Sequence, residues 1–193
     1  MTTPPAGDDL TTARLWLRAL RPTDAVALSR YRSDPATARF QSWTTPFTVQ
    51  DAVALIDDVR LSDPKSPGWY QYGIVLRETD SLIGDLGVNL AENRQQAEIG
   101  FTLAAPFRGN GYASEAVGRI LDHLFDDRGL HRVSAECDAR NLASARLLER
   151  TGFVLEGRRR EHTFIKGEWT DDLLFGILAG DRSPGPRKSE IKE

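Results

Sequence analysis

Glu98-Ile-Gly-Phe-Thr-Leu-Ala-Ala-Pro-Phe-Arg-Gly-Asn-Gly-Tyr-Ala113 decides the fold, together with the helical pattern that follows it to about Phe125. Residues 97–103 read as a strand. The Ala104-Ala105-Pro106 break closes it, because proline cannot continue a central ladder. From Ala113 the apolar residues Ala116, Val117, Ile120, Leu121, Leu124 and Phe125 recur at helical spacing, which buries one face. Gly109 and Gly111 stand where that helix begins. Its first N–H groups have no intrahelical acceptor and lie at the positive end of the helix dipole, so they suit a phosphate. Glycine there keeps a Cβ out of an anion's approach. On sequence grounds this is a pyrophosphate cradle.

Three readings compete for the turn. One is a strand-to-helix connection whose glycines serve conformation alone. A dinucleotide fingerprint fits poorly, because Gly109-x-Gly111-x-x-Ser114 lacks the third glycine or alanine and the tight strand–turn junction. A P-loop is excluded, since no Gly-Lys-Ser/Thr follows. The third reading is a resemblance. Arg108-x-x-Gly111-x-Ala113 resembles the Q/R-x-x-G-x-G/A acyl-CoA signature of the GNAT superfamily of N-acetyltransferases. Asn141-Leu-Ala-Ser-Ala-Arg-Leu-Leu-Glu-Arg-Thr-Gly-Phe153 is similar to that family's next motif, at a fitting distance. The chain from Arg14 to Gly180 resembles the RimJ/RimL-like branch, which holds the ribosomal-protein alanine N-acetyltransferases.

Length and composition agree with an ordinary globular protein. The 193 residues suit a single domain with a substantial core. A composition of 40% hydrophobic and 27% charged residues is typical of such a domain. The net charge of −3 gives no general field for nucleic acid or acidic membranes. Cys137 is the single cysteine, so no internal disulfide can form and export is not indicated. It reads as a small buried strand residue rather than a nucleophile. No run approaches the roughly 18 apolar residues of a membrane span, and the polar start is not a signal peptide. A cytoplasmic location is the default expectation.

In chain order, residues 1–12 read as a loose leader, 13–180 as the folded domain and 181–193 as a disordered tail. Residues 15–20 predict a first strand. Pro22-Thr-Asp24 starts a helix that Asp34-Pro35 ends, and Phe40 to Phe47 is a loop. A second helix is capped by Thr48. Three strand-like runs, 69–76, 82–90 and 97–103, have short polar separators and predict an antiparallel meander. After the long helix, residues 131–137 form a strand parallel to its neighbour across that helix. Asn141 to Arg150 is a short helix ended by Gly152. Two strands, 154–162 and 169–178, follow, joined by Ile165-Lys-Gly167.

The expected fold is therefore α+β, a mixed and mostly antiparallel sheet of about seven strands with about four helices. The GNAT resemblance adds a splayed parallel strand pair at the acyl-CoA site, here 97–103 and 133–137, with the pantetheine arm between them.

Acyl transfer from a thioester to an amine poses three chemical problems. An amine of pKa about 10.4 must lose a proton before it attacks. The carbonyl oxygen needs fixed N–H donors. A thiolate of parent pKa about 8.5 leaves more easily when protonated. Glu98, on the strand that leads to the cradle, resembles the position where several GNAT members place a catalytic glutamate. Its bland alternative is a solvent-facing strand carboxylate. Asp85, Glu115 and Glu161 are other carboxylates that could activate water, Glu161 reading better as a charged strand end.

By the same resemblance Arg108 contacts pyrophosphate, while Gly109, Asn110, Gly111, Tyr112 and Ala113 offer backbone N–H groups. The backbone of Phe101, Thr102 and Leu103 pairs with the pantetheine like an added strand. Asn141 bonds the pantetheine and Ser144 lies near the thioester sulfur, although both also suit a helix start. Many relatives carry a proton-donating Tyr where this chain has Leu148, which leaves Ser144 or water for that role. Gln41, Trp43, Phe47, Trp69 and Tyr72 could line an acceptor pocket or belong to the core. His123, His131 and His162 lack metal-ligand spacing, so no metal is expected.

The resemblance implies transfer of acetyl from acetyl-CoA to a primary amine, a protein N-terminus or a small amine, by direct attack in a ternary complex. A non-catalytic acyl-CoA sensor is the alternative from another class. A homodimer is compatible with the family, and no sequence feature requires it.

Overall fold

A computed structural model describes residues 9–182. Its sheet has the order β1-β2-β3-β4-β5-β6-β8-β7. β1 (Leu10–Thr11) is a two-residue edge on β2 (Leu15–Ala19). β3 (Gly68–Leu76), β4 (Ser81–Leu90) and β5 (Gln96–Leu103) continue as the expected antiparallel meander. β6 (Arg132–Asp138) lies parallel to β5, and β8 (Glu168–Leu178) separates it from β7 (Val154–Ile165). Among the described residues no helix is long and apolar enough to cross a membrane.

Five α-helices pack on this sheet among the described residues. α1 (Ala25–Ser33) follows a 3-10 turn at Pro22–Asp24, whose Asp24 is paired with the buried Arg18 at 2.7 Å. α2 (Pro35–Ala38) is short, and α3 (Val49–Arg60) starts from a reciprocal Thr48–Asp51 capping box. α4 (Tyr112–Asp122) is prolonged by a wider turn over His123–Asp127. α5 (Leu142–Arg150) is capped by Asn141, whose Oδ1 accepts the Ser144 N–H. Gly152, at φ +96°, ends it in the left-handed conformation, and Phe153 packs back into the core.

The sheet separates two apolar layers. Ala116, Val117, Ile120 and Leu121 of α4 meet Ile99, Val133 and Ala135 on one face. Leu28 of α1 and Ile56 of α3 meet Val75 and Leu82 on the other.

Three expectations need correction. Leu10 and Thr11, placed in a loose leader, form an edge strand because Leu10 buries its side chain opposite Leu17. Asp34-Pro35 ends α1 but also starts α2: Asp34 accepts the Thr37 N–H, and proline fits the first helical position. The described residues hold eight strands and five α-helices, in line with the expected about seven and about four. Asp181, assigned to the tail, closes a last 3-10 turn by accepting the Leu178 N–H. Most of both expected tails, residues 1–8 and 183–193, lies outside the described residues.

Candidate active site

β5 and β6 share only three register pairs, Gln96–Arg132, Ala97–Val133 and Glu98–Ser134. Beyond them the strands part. On β5's other side, Ala104 donates to Ile83 and Ala91 donates to the Gln96 carbonyl. Antiparallel alternation therefore gives the even-numbered β5 residues to β4 and turns the backbone of Phe101 and Leu103 into the gap. This is the expected splay, with a free strand edge inside it.

A cavity of about 640 Å³ fills the gap. It is lined by Phe101, Thr102, Leu103, Arg108, Gly109, Gly111, Tyr112, Ala113, Asn141 and Ser144, so most of the sequence-predicted residues come together. Asn110 is outside the lining; its side chain bonds the carbonyls of Phe107 and Arg108. A smaller cavity continues between residues 99–101 and 136–138, sharing Phe40, Gln41, Phe101, Asn141 and Ser144 with the first. Glu98 lines neither.

The cradle end is built by Gly111, the residue before α4, at φ +79°. No side chain caps this helix start. Its leading N–H groups are left to face an anion. Arg14 braces the turn from β2's leading end, an element the sequence reading did not connect with it. Its Nη1 donates to the Asn110 carbonyl at 3.0 Å, its guanidinium lies 4.4 Å from the Tyr112 ring centroid, and its Nε donates to Glu115 at 2.7 Å. Burial raises the Glu115 carboxyl, but hydrogen bonds from Thr12 and Arg14 outweigh it and hold the group below its ordinary range. Glu115 is thus a brace rather than a free base.

Arg108 lines the same cavity, with its guanidinium engaged by protein partners. Its Nε donates to the Leu103 carbonyl at 2.9 Å and its Nη2 to Thr37 Oγ1 at 2.7 Å, which ties α2 to the end of β5.

Glu98 is half-buried on the sheet face opposite α4. Burial pushes its carboxyl above the ordinary range, the nearby Glu136 adds to the push, and Arg159 opposes it. Asp85 is enclosed by Tyr31, Arg32 and Gln71, and Glu161 is exposed, with its backbone N–H on Asp171. Neither lines either cavity.

Leu148 is 1% exposed and packs in the core, while Ser144, one helical turn earlier, lines both cavities. Ser144 is therefore the α5 residue that lines both cavities, while Ala143, Leu147 and Arg150 line the larger one. Cys137 lines the smaller cavity, but burial, Asp138 and Asp172 push its thiol up to about 11.

Of the aromatic and amide candidates for the acceptor side, only Gln41 lines the cavities; Trp43 and Phe47 hold its loop from behind, Tyr72 is core and Trp69 is exposed. Phe40, Ala36 and Thr37, which do line the larger cavity, went unnoticed in the sequence. The Asp-Pro helix-start signal at 34–35 could have revealed them. Among the described residues no three His, Cys, Asp or Glu side chains gather as a metal-binding group.

The comparisons with known proteins agree with this geometry. The acetyltransferase (GNAT) domain family matches residues 14–154. An uncharacterized N-acetyltransferase, p20, of Bacillus licheniformis is 34% identical over 176 residues, covering 89% of this chain and 96% of its own. The [ribosomal protein uS5]-alanine N-acetyltransferase of Escherichia coli is 25% identical, covering 91% and 93%. Among solved structures, the microcin C7 self-immunity acetyltransferase MccE, crystallised with acetyl-CoA and AMP, superposes with a TM-score of 0.76 at 19% identity, covering 86% and 93%. The splayed β5–β6 pair, the uncapped α4 start and these matches make the chain an acyltransferase of the GNAT acetyltransferase family.

Proposed function

We propose that this enzyme transfers acetyl from acetyl-CoA to a primary amine by direct attack, without a covalent enzyme intermediate. The observation that carries the reading is the pair of cavities that share five lining residues in the splay, with an anion-ready helix start at one end and carboxylates at the other. Acetyl-CoA would supply an activated thioester. The backbone N–H groups at Gly111, Tyr112 and Ala113 suit its pyrophosphate, and the Phe101 backbone with the Leu103 N–H suits its pantetheine amides.

Each residue then has a defined task. Glu98 takes the proton from the acceptor ammonium, through water, because its own side chain lies outside the cavities. Its raised pKa brings it nearer to neutral pH, which favours a base. The N–H groups turned into the gap hold the carbonyl oxygen as charge develops on it. Ser144 passes a proton, directly or through water, to the departing sulfur, and the proton that the attacking nitrogen sheds as the amide forms replaces it. Cys137, protonated at neutral pH, takes no part. The match to the alanine N-acetyltransferase favours a peptide N-terminus as acceptor over a small amine.

The test is a calorimetric titration of acetyl-CoA against CoA, followed by thiol release with an amine panel. Micromolar binding, about −8 kcal/mol, with thiol release that depends on an amine, is the expected result. Folded protein that binds neither nucleotide would overturn the reading.

A further inference from the structure

Asp85 lies in the middle of β4 with its carboxylate 2% exposed, where an unpaired charge would be costly. It is fully engaged. Oδ1 accepts Gln71 Nε2 at 2.7 Å, and Oδ2 accepts Arg32 Nη2 at 3.1 Å together with the Tyr31 hydroxyl. The outer face of Arg32 is aromatic: its guanidinium carbon lies 4.3 Å from the Trp43 ring centroid and 5.2 Å from that of Phe47. Trp43 Nε1 returns a hydrogen bond to the Arg32 carbonyl at 2.9 Å. Ser29 and Ser33 hydroxyls bond the Phe47 carbonyl at 2.8 and 2.9 Å.

These contacts fasten the distal end of the loop over residues 39–47. Its proximal end carries Phe40 and Gln41, which line both cavities. There the chain is held again, by Arg108 on Thr37 and by Lys166 on the Ala38 carbonyl. The loop is a short span pinned at both ends, so the placement of its cavity wall depends on both pins.

We propose that Arg32, oriented by Asp85, is a positioning residue that sets the acceptor-side wall through Trp43 and Phe47, and that Phe40 and Gln41 on that wall select the acceptor amine. The inference rests on the acetyl-transfer reading. Arg32 never touches the reacting atoms. Its planar face is what the aromatic rings hold, and a lysine would keep the charge and lose that face.

The experiment measures steady-state kinetics with an N-terminal alanyl peptide, spermidine and kanamycin as probe amines. Arg32→Gln could leave Asp85 buried and unpaired and so fail to fold. The variants are therefore Trp43→Ala, Trp43→Phe and Arg32→Lys. Trp43→Ala and Arg32→Lys should raise the KM of the reactive amine about tenfold, with kcat and the acetyl-CoA KM within about twofold. Trp43→Phe keeps a ring over Arg32 and should return the amine KM to within about threefold of wild type. Amide hydrogen exchange should quicken in residues 39–47 of Trp43→Ala and stay unchanged in 112–125.

An unchanged amine KM, an equal rise in the acetyl-CoA KM, or unchanged exchange at 39–47 would each overturn the proposal and leave the acetyl-transfer reading standing. Wild-type protein that transfers to no probe amine overturns both.

Discussion

Glu98 and Ser134 form the last register pair of the parallel β5–β6 ladder, so the proposed base sits at the point where the strands part. The placement holds the carboxylate in rigid, paired backbone while the gap opens immediately beyond it. Exchanging Glu98 for Gln should lower the transfer rate about 100-fold, the range typical of losing a general base, with acetyl-CoA affinity unchanged. An undiminished rate would remove Glu98 from the mechanism.

The raised pKa of Glu98 also has a pH consequence. Burial, then Glu136, disfavour its ionised form in the folded protein. A carboxyl raised on folding stabilises below its unfolded pKa and loses that contribution as pH rises through its folded one. Two outcomes follow. The acidic limb of kcat/KM should lie above the ordinary Glu range of about 4.3. Glu98→Gln should also gain thermal stability over wild type at pH 7 and lose that advantage at pH 4, as paired melts would reveal.

Gly111 joins conformation to chemistry at the cradle. At φ +79° any side chain is strained by about 1–2 kcal/mol, and a Cβ there would stand 3.4 Å from Arg14 Nη2. Gly111→Glu adds a negative charge where phosphate is expected. Titration should find no measurable acetyl-CoA binding, while circular dichroism still reports folded protein. Retained affinity would move the pyrophosphate elsewhere.

The elements around this turn were legible because each obeys a local rule. Ala116, Val117, Ile120 and Leu121 have helical spacing, Gly152 supplies the positive φ that ends α5, and Thr48 caps α3. What could not be read depended on distant partners. Arg14 meets Asn110 and Glu115 across about a hundred residues, and only the β2–α4 contact brings them together. Arg108 satisfies a phosphate-binding pattern, yet its guanidinium finds Thr37 on a helix that reading Asp34-Pro35 only as a helix end passes over. Asp85 in a strand says nothing of Tyr31 and Arg32, which reach it from another layer. The facing of Glu98 required the register, since a slip of one residue would have turned it toward α4.

Arg14→Ala removes the brace beneath the cradle. The Arg14 side chain is about half exposed, so solvent screening limits its ion pair with Glu115 to about 1 kcal/mol or less. Glu115 is held below its ordinary pKa, so its contribution is present above the unfolded pKa and fades as pH falls through the folded one. Urea midpoints of wild type and variant should differ at pH 7 and converge as pH falls below the ordinary Glu range. Acetyl-CoA affinity should weaken severalfold, because Asn110 and Tyr112 lose their support. A stability gap that persists unchanged into acid would assign the effect to packing of the Arg14 stem on Tyr112.

Cys137 separates direct transfer from a route through an acyl-cysteine. The residue lines the smaller cavity, between Glu136 and Asp138. Its thiol, pushed up to about 11, is ionised in only about one molecule in ten thousand at pH 7. Burial causes most of that rise, and the charges of Asp138 and Asp172 add to it. A nucleophilic cysteine needs the opposite surroundings. Cys137→Ala should therefore keep the transfer rate within about threefold of wild type. Initial-rate plots against acetyl-CoA at several amine concentrations should intersect, as a ternary complex requires. Parallel lines together with an inactive Cys137→Ala would instead establish an acyl-enzyme, and would remove the need for Glu98 to work on an amine already beside the thioester.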